Sequence, residues 1–180
     1  LSNAYETVVV CDVFLGVERM LLLKSLYNKK FIWIDHHISS YNQLKEYTIE
    51  GLVDMNYSAC ELTWQYFMKT QTPTFITLVG KYDTFRHKGT SEEKLVTMFQ
   101  FGIRNQVKNR ETAVEFLIEC LEDRVLDIVN LVANEGESIL NYLIQTKERE
   151  FKDTFEISLF NPITKTYHKF LAFNGREGNF

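Results

Sequence analysis

The stretch Phe31 to Ser40, FIWIDHHISS, decides how the chain is read. An apolar run, Phe31 to Ile34, leads straight into Asp35, His36 and His37, so groups able to hold a metal or a phosphate stand where a buried strand would stop. In open α/β sheets the crevice beyond the carboxyl ends of the strands is where ligands bind, and residues just past a strand end are displayed there on a rigid base. Upstream, Thr7 to Cys11 (TVVVC) is β-branched and apolar on successive positions. That pattern predicts a strand covered on both faces. It ends in Asp12. Between the two runs, Val17 to Tyr27 has helical spacing, with Val17, Met20, Leu21, Leu23 and Leu26 on one broad apolar side. Strand, helix, strand in so short a span is a βαβ unit, whose handedness makes the strands parallel. Asp12 and Asp35 should then share one edge of the sheet.

Downstream, Ser39 to Glu46 reads as a polar helix or loop and Gly51 to Val53 as a short strand. Ser58 with Glu61 three residues on is a capping box opening a helix through about Met68. Pro73 suits the first turn of a helix through about Lys81, which or whose end carries GKYDTFRH with Asp83. Further helices are expected at Glu92 to Phe101, at Glu111 to Leu121, and from about Asp123 to Glu150. In the last of these, Gly136 should weaken or bend the helix by about 1 kcal/mol relative to Ala. FEISLF and YHKFLAF, separated by a turn beginning at Asn161, predict a β-hairpin that opens a second domain.

Composition bounds the function classes. A net charge of -4 gives no global basic field to gather nucleic acid, so a nucleotide ligand would need a local basic patch or metal ions. No run approaches the roughly 18 apolar residues of a membrane span, and no cationic start precedes an apolar stretch as in a signal peptide. A cytoplasmic protein is expected. Cys11, Cys60 and Cys120 are odd in number, far apart and without metal-ligand spacing, which predicts buried free thiols. Trp33 and Trp64 lie within apolar segments and are expected in the core. His168 has no partner visible in its hairpin. Ser2-Asn3-Ala4 resembles the scar of a cleaved tag, although Leu1 ahead of it does not fit.

Asp12, Asp35, His36, His37 and Asp83 form one constellation. Each alone has an ordinary explanation as a helix cap, loop histidine or surface acid, but their coincidence after two buried strands points to a site. Carboxylates and imidazoles together suit borderline divalent ions such as manganese, whereas magnesium or calcium would favour carboxylates alone. Two ions about 3.5–4 Å apart can activate a water and neutralise a phosphoryl group. Arg86, His87 and Lys88 follow Asp83 closely and could contact phosphate oxygens or form a solvated loop face.

These motifs resemble those of the DHH phosphoesterases, the superfamily of RecJ exonucleases, oligoribonucleases, cyclic-dinucleotide phosphodiesterases and family II inorganic pyrophosphatases. Asp35-His36-His37 is similar to the name-giving triplet, CDVFL (Cys11 to Leu15) to the second motif, NYSACELTWQYF (Asn56 to Phe67) to the helix after the triplet, and LVGKYDTF (Leu78 to Phe85) to the fourth motif. NEGESILNYLIQ is similar to the connector before the DHH-associated domain. The resemblance implies an α/β phosphoesterase core over residues 5–122, a helical connector over 123–150 and the start of a second α/β domain over 151–180. It makes Asp12 the ligand bridging two Mn2+ ions, with Mg2+ as the substitute. His36 and Asp83 would complete the second ion's shell, His37 would face the substrate phosphate, and Asp35 would orient an imidazole from behind. A water activated between the ions would attack phosphorus in line.

The family's first motif, a histidine with two aspartates, does not precede Thr7. The expectation is that this motif lies upstream of the chain given, rather than that the protein is a degenerate member. The polypeptide by itself should then be a poor enzyme. Short oligonucleotides are the first expected substrate and cyclic dinucleotides the second. The rivals are a non-catalytic nucleotide- or partner-binding module on the same fold and an inorganic pyrophosphatase. A homodimer is left open.

Overall fold

The computed structural model describes residues 6–121, 125–152 and 154–172. The tag-like start and the polar end at NGREGNF lie outside the described residues, as does Asp123. Strand β2 (Phe31–Asp35) is the middle of a three-stranded parallel sheet, flanked by β1 (Val8–Cys11) and β3 (Glu50–Val53). All of β2 is buried, because it has a strand on either side and helices over both faces. Its side chains alternate between those faces. Phe31 and Trp33 join Val10, Met20 and Leu44 under α1 (Val17–Tyr27) and α2 (Ile38–Leu44). Ile32 and Ile34 pack instead on Leu62 of α3 (Ala59–Met68).

The register sets Val10 opposite Trp33, Cys11 opposite Ile34 and Asp35 opposite Val53, so β1 and β2 end at the same edge. One expectation is corrected: β1 is not covered on both faces. It is a sheet edge among the described residues, and Val9 is left 44% exposed.

The second half of the core is helical. Helices α4 (Thr74–Asp83), α5 (Glu93–Gln106), α6 (Arg110–Leu121) and α7 (Val125–Lys152) bury Phe75, Leu78, Phe99, Phe116 and Val132 together. Ile128 and Val129 belong to the same cluster, so the first turns of α7 are part of this core. Pro73 stands at the N-cap of α4, ahead of the first helical turn. Gly136 has a different role from the one its propensity suggests. A β-carbon there would stand 1.7 Å from the Met98 carbonyl oxygen, and one at Gly102 would stand 1.9 Å from that of Val132. The two glycines let α5 and α7 cross backbone to backbone.

Strands β4 (Phe155–Asn161) and β5 (Thr166–Ala172) form a separate antiparallel hairpin. Its turn is organised as expected at Asn161, whose Oδ1 accepts the N–H groups of Ile163 at 2.9 Å and Thr164 at 3.3 Å. Phe155, Leu159, Phe160 and Ile163 of this unit are exposed. No helix among the described residues is long and apolar enough to cross a membrane.

Two core assignments need revision. Cys120 is buried as expected and Cys11 partly so, but Cys60 is exposed, because the first turn of α3 fronts a cleft. Trp33 is in the core, whereas Trp64 is half-buried and donates its Nε1–H to Thr70 Oγ1 and the Gln71 carbonyl, each at 3.2 Å.

Candidate metal centre

Asp12 sits one residue past β1 with φ of 59°, in the left-handed region that non-glycine residues visit uncommonly. Its N–H still donates to the Ile34 carbonyl at 3.0 Å, so the chain turns sharply while anchored to β2. Left-handed aspartates are tolerated because the short polar side chain bonds locally, and such conformations gather at functional sites. Here the turn brings Asp12 Oδ1 to 3.1 Å from His36 Nε2.

Asp35 ends the buried strand and is fully enclosed. Its Oδ1 accepts the His36 N–H at 2.8 Å, the His37 N–H at 3.3 Å and His37 Nδ1 at 2.7 Å. Burial works to raise the pKa of this carboxyl, but the bonds from His37, His36 and Ser40 outweigh it and hold it below the usual value. The same contact acts in reverse on the partner: the bond to Asp35 raises the His37 pKa against the opposing pull of burial. With Nδ1 committed to Asp35, the rest of the half-exposed His37 ring is presented outward. The two imidazoles are close, with ring centroids 4.3 Å apart.

Asp83 reaches the same point from the other side. It is the last residue of α4, where Thr84 closes the helix by donating both its N–H and its Oγ1–H to the Gly80 carbonyl, at 3.1 and 2.8 Å. Asp83 Oδ2 lies 3.3 Å from His36 Nε2. Atoms bound at right angles to one ion at about 2.1 Å stand about 3 Å apart. Asp12 Oδ1 and Asp83 Oδ2, at 3.1 and 3.3 Å from the same nitrogen, each stand from His36 as two ligands of one ion do. Ligand atoms of Asp12, His36 and His37 also lie within 4.8 Å of one another. The donor set of carboxylate and imidazole is of the kind that could hold a small divalent cation, and among the described residues one such group is found.

Arg86 and His87 take other places than phosphate contact. The Arg86 guanidinium pairs with Glu61, which is 2% exposed, while its Nε donates to Thr84 Oγ1 at 2.7 Å. Glu61 Oε2 also accepts the Ser58 N–H at 3.0 Å, as expected of the capping box. A β-carbon at Gly80 would stand 2.3 Å from that carboxylate, so the glycine makes room for the pair between α3 and α4. His87 is 1% exposed, with Nδ1 2.8 Å from the Lys81 carbonyl and its ring stacked on Tyr82. It is a core histidine.

Beside Asp12 and Asp83 opens a cleft of about 290 Å³, also lined by Tyr82, Phe85, Gln100 and Arg104. Sequence reading missed the last two, although a signal existed: they lie four residues apart and thus on one face of a helix that is otherwise apolar toward the core. The Arg104 guanidinium lies 5.7 Å from the Tyr82 and Phe101 ring centroids.

Comparison with known proteins gives no match: no family model, no curated protein and no solved structure matches the chain.

Proposed function

We propose that the full-length protein is a divalent-metal-dependent phosphohydrolase of the DHH type, acting in the cytoplasm on the phosphodiester bonds of short oligonucleotides. The observation that carries this reading is the approach of both Asp12 Oδ1 and Asp83 Oδ2 to His36 Nε2, at 3.1 and 3.3 Å, on the carboxyl edge of a parallel sheet. Asp12, His36 and Asp83 would hold the ion, with manganese favoured by the mixed donors and magnesium the substitute. When bound, such an ion supplies neutralisation of phosphate charge and a more acidic water. Asp35 fixes the ring of His37 through Nδ1, and the raised pKa of that ring favours the cationic form suited to phosphate oxygens.

Two observations favour a short substrate. The chain carries no net positive charge to gather a long polyanion. The cleft is also at the small end of ligand sites, which run from about 300 to 1,000 Å³. Cyclic dinucleotides are the second substrate class.

The test is release of mononucleotides from a short RNA by full-length protein with Mn2+, beside an Asp83→Ala control. Loss of release in the variant is expected, and equal rates would sink the catalytic assignment. A parallel assay with pyrophosphate separates the nuclease from the pyrophosphatase. A second reading, a nucleotide- or partner-binding module without catalysis, is favoured by the donor set for one ion rather than two among the described residues. A His-x-Asp-x-Asp pattern upstream of Tyr5 would support the enzyme.

A further inference from the structure

Asp83 owes its place to the backbone. Its side chain is half-exposed, so packing does not fix the carboxylate, and it stands on the last residue of α4, where helices fray. Ligand distances tolerate a spread of only about 0.2 Å. The final turn of α4 must therefore be held by other groups, because its last carbonyls have no partners within the helix. Gly80 takes the N–H and Oγ1–H of Thr84, and Tyr82 takes the N–H of Phe85 at 3.2 Å. Between them, the Lys81 carbonyl lies 2.8 Å from His87 Nδ1. A carbonyl can only accept, which places a proton on Nδ1.

The chain doubles back to make this bond. Phe85 stands at φ of 57°, the left-handed state that closes many helices but is usually given to Gly or Asn. Such a state persists only where the surroundings overdetermine the turn. Two anchors do so here. Arg86 bonds Glu61 and Thr84 Oγ1, and the enclosed His87 ring lies 5.2 Å from that of Tyr82 and within 10° of parallel. Filling space does not by itself account for a histidine. Its Nε2 is buried without a hydrogen-bond partner among the described residues, a cost that Phe in the same space would not carry. What Phe cannot supply is the Nδ1–H.

We propose that His87 is a positioning residue of the metal centre: by clamping the Lys81 carbonyl it holds the last turn of α4, and with it the carboxylate of Asp83, in reach of His36. It acts through Asp83 and not on substrate. The proposal rests on the metal reading of that site and deepens it.

Two substitutions separate the clamp from the packing. His87→Asn keeps a donor where Nδ1 stands but removes most of the ring, and His87→Phe keeps a ring but removes the donor. Both are compared with wild type by calorimetric titration with Mn2+ alone, at a temperature where circular dichroism shows all three chains folded. Affinity should fall by about tenfold or more in His87→Phe, the usual effect of losing a group behind a ligand, and stay near wild type in His87→Asn. Melting temperature should not follow that order, because His87→Asn leaves the larger cavity. In the metal-free chains, hydrogen exchange at the Thr84 and Phe85 amides should quicken in His87→Phe alone. Affinity that falls in step with melting temperature in both variants overturns the proposal, as does equal Mn2+ binding with unchanged exchange in all three chains. No Mn2+ binding in any chain, with exchange quickened in His87→Phe alone, would uphold the clamp on Asp83 and overturn the metal reading alone.

Discussion

Asp35 has no access to water, so every contribution that keeps its carboxylate charged comes from the groups around it, and Oδ1 takes the bonds from His36 and His37 while Oδ2 has no hydrogen-bond partner. Replacing it with Asn removes the charge that orients His37. Oδ1 also accepts the N–H of His36, a proposed ligand, so Asp35→Asn should lower Mn2+ affinity by about 10- to 100-fold, the usual effect of losing a residue behind a ligand. Titration calorimetry checks this, and unchanged affinity would remove Asp35 from the site. Arg86 makes an opposite prediction. Arg86→Ala leaves the enclosed Glu61 carboxylate with its Ser58 donors but without its cation, and should cost about 3 kcal/mol of stability, at the low end for a buried pair because Arg86 is partly solvated. Urea unfolding measures it. A loss of activity without a loss of stability would instead return Arg86 to the phosphate. The sequence made Asp12, His36 and Asp83 legible as a group because each ends an element whose apolar pattern is clear. It could not show that Arg86 belongs to Glu61, a partner 25 residues away fixed only by how α3 meets α4.

Among the elements, the crossing of α5 and α7 sets two effects against each other. Ala is favoured over Gly in a helix interior by about 1 kcal/mol, and overpacking costs about 1–3 kcal/mol when side chains can move aside. At Gly136 the obstacle is the Met98 carbonyl at 1.7 Å, which is backbone and cannot rotate away. Gly136→Ala should therefore destabilise by roughly 2 kcal/mol. A rise in melting temperature would show that α5 and α7 do not cross so closely. Periodicity marked α7 as a helix, yet it gave Gly136 only its intrinsic weakness, because a one-chain pattern carries no information about a backbone approaching from elsewhere. For the same reason the edge position of β1 was not visible: TVVVC reads as a fully covered strand, and Val9 is exposed. The end of α6 carries a further test. Burial pushes the Cys120 thiol up from its ordinary 9.0 to about 11. A raised value means the native chain holds this proton more tightly than the unfolded one, so its contribution is complete below the ordinary value and is lost as pH climbs through the raised one. Stability of the wild-type chain should fall more steeply than that of Cys120→Ala between those limits, and parallel curves would contradict the burial.

For the whole molecule, the α/β architecture was legible from three apolar runs and one helix, whereas the order and register of the sheet are set by the packing of the strands against one another. The cleft was not, because its walls come from α3, α4 and α5, whose separation no local pattern fixes. What the molecule does depends on whether the carboxyl edge of the sheet and the end of α4 together hold an ion. The direct measurement is calorimetric titration of the chain with Mn2+, repeated with His36→Ala and Asp83→Ala. Saturable binding is expected, abolished or weakened by more than tenfold in both variants, with the melting temperature of each metal-free variant close to that of wild type. Binding of equal strength in all three chains, or none in the wild-type chain, would contradict it.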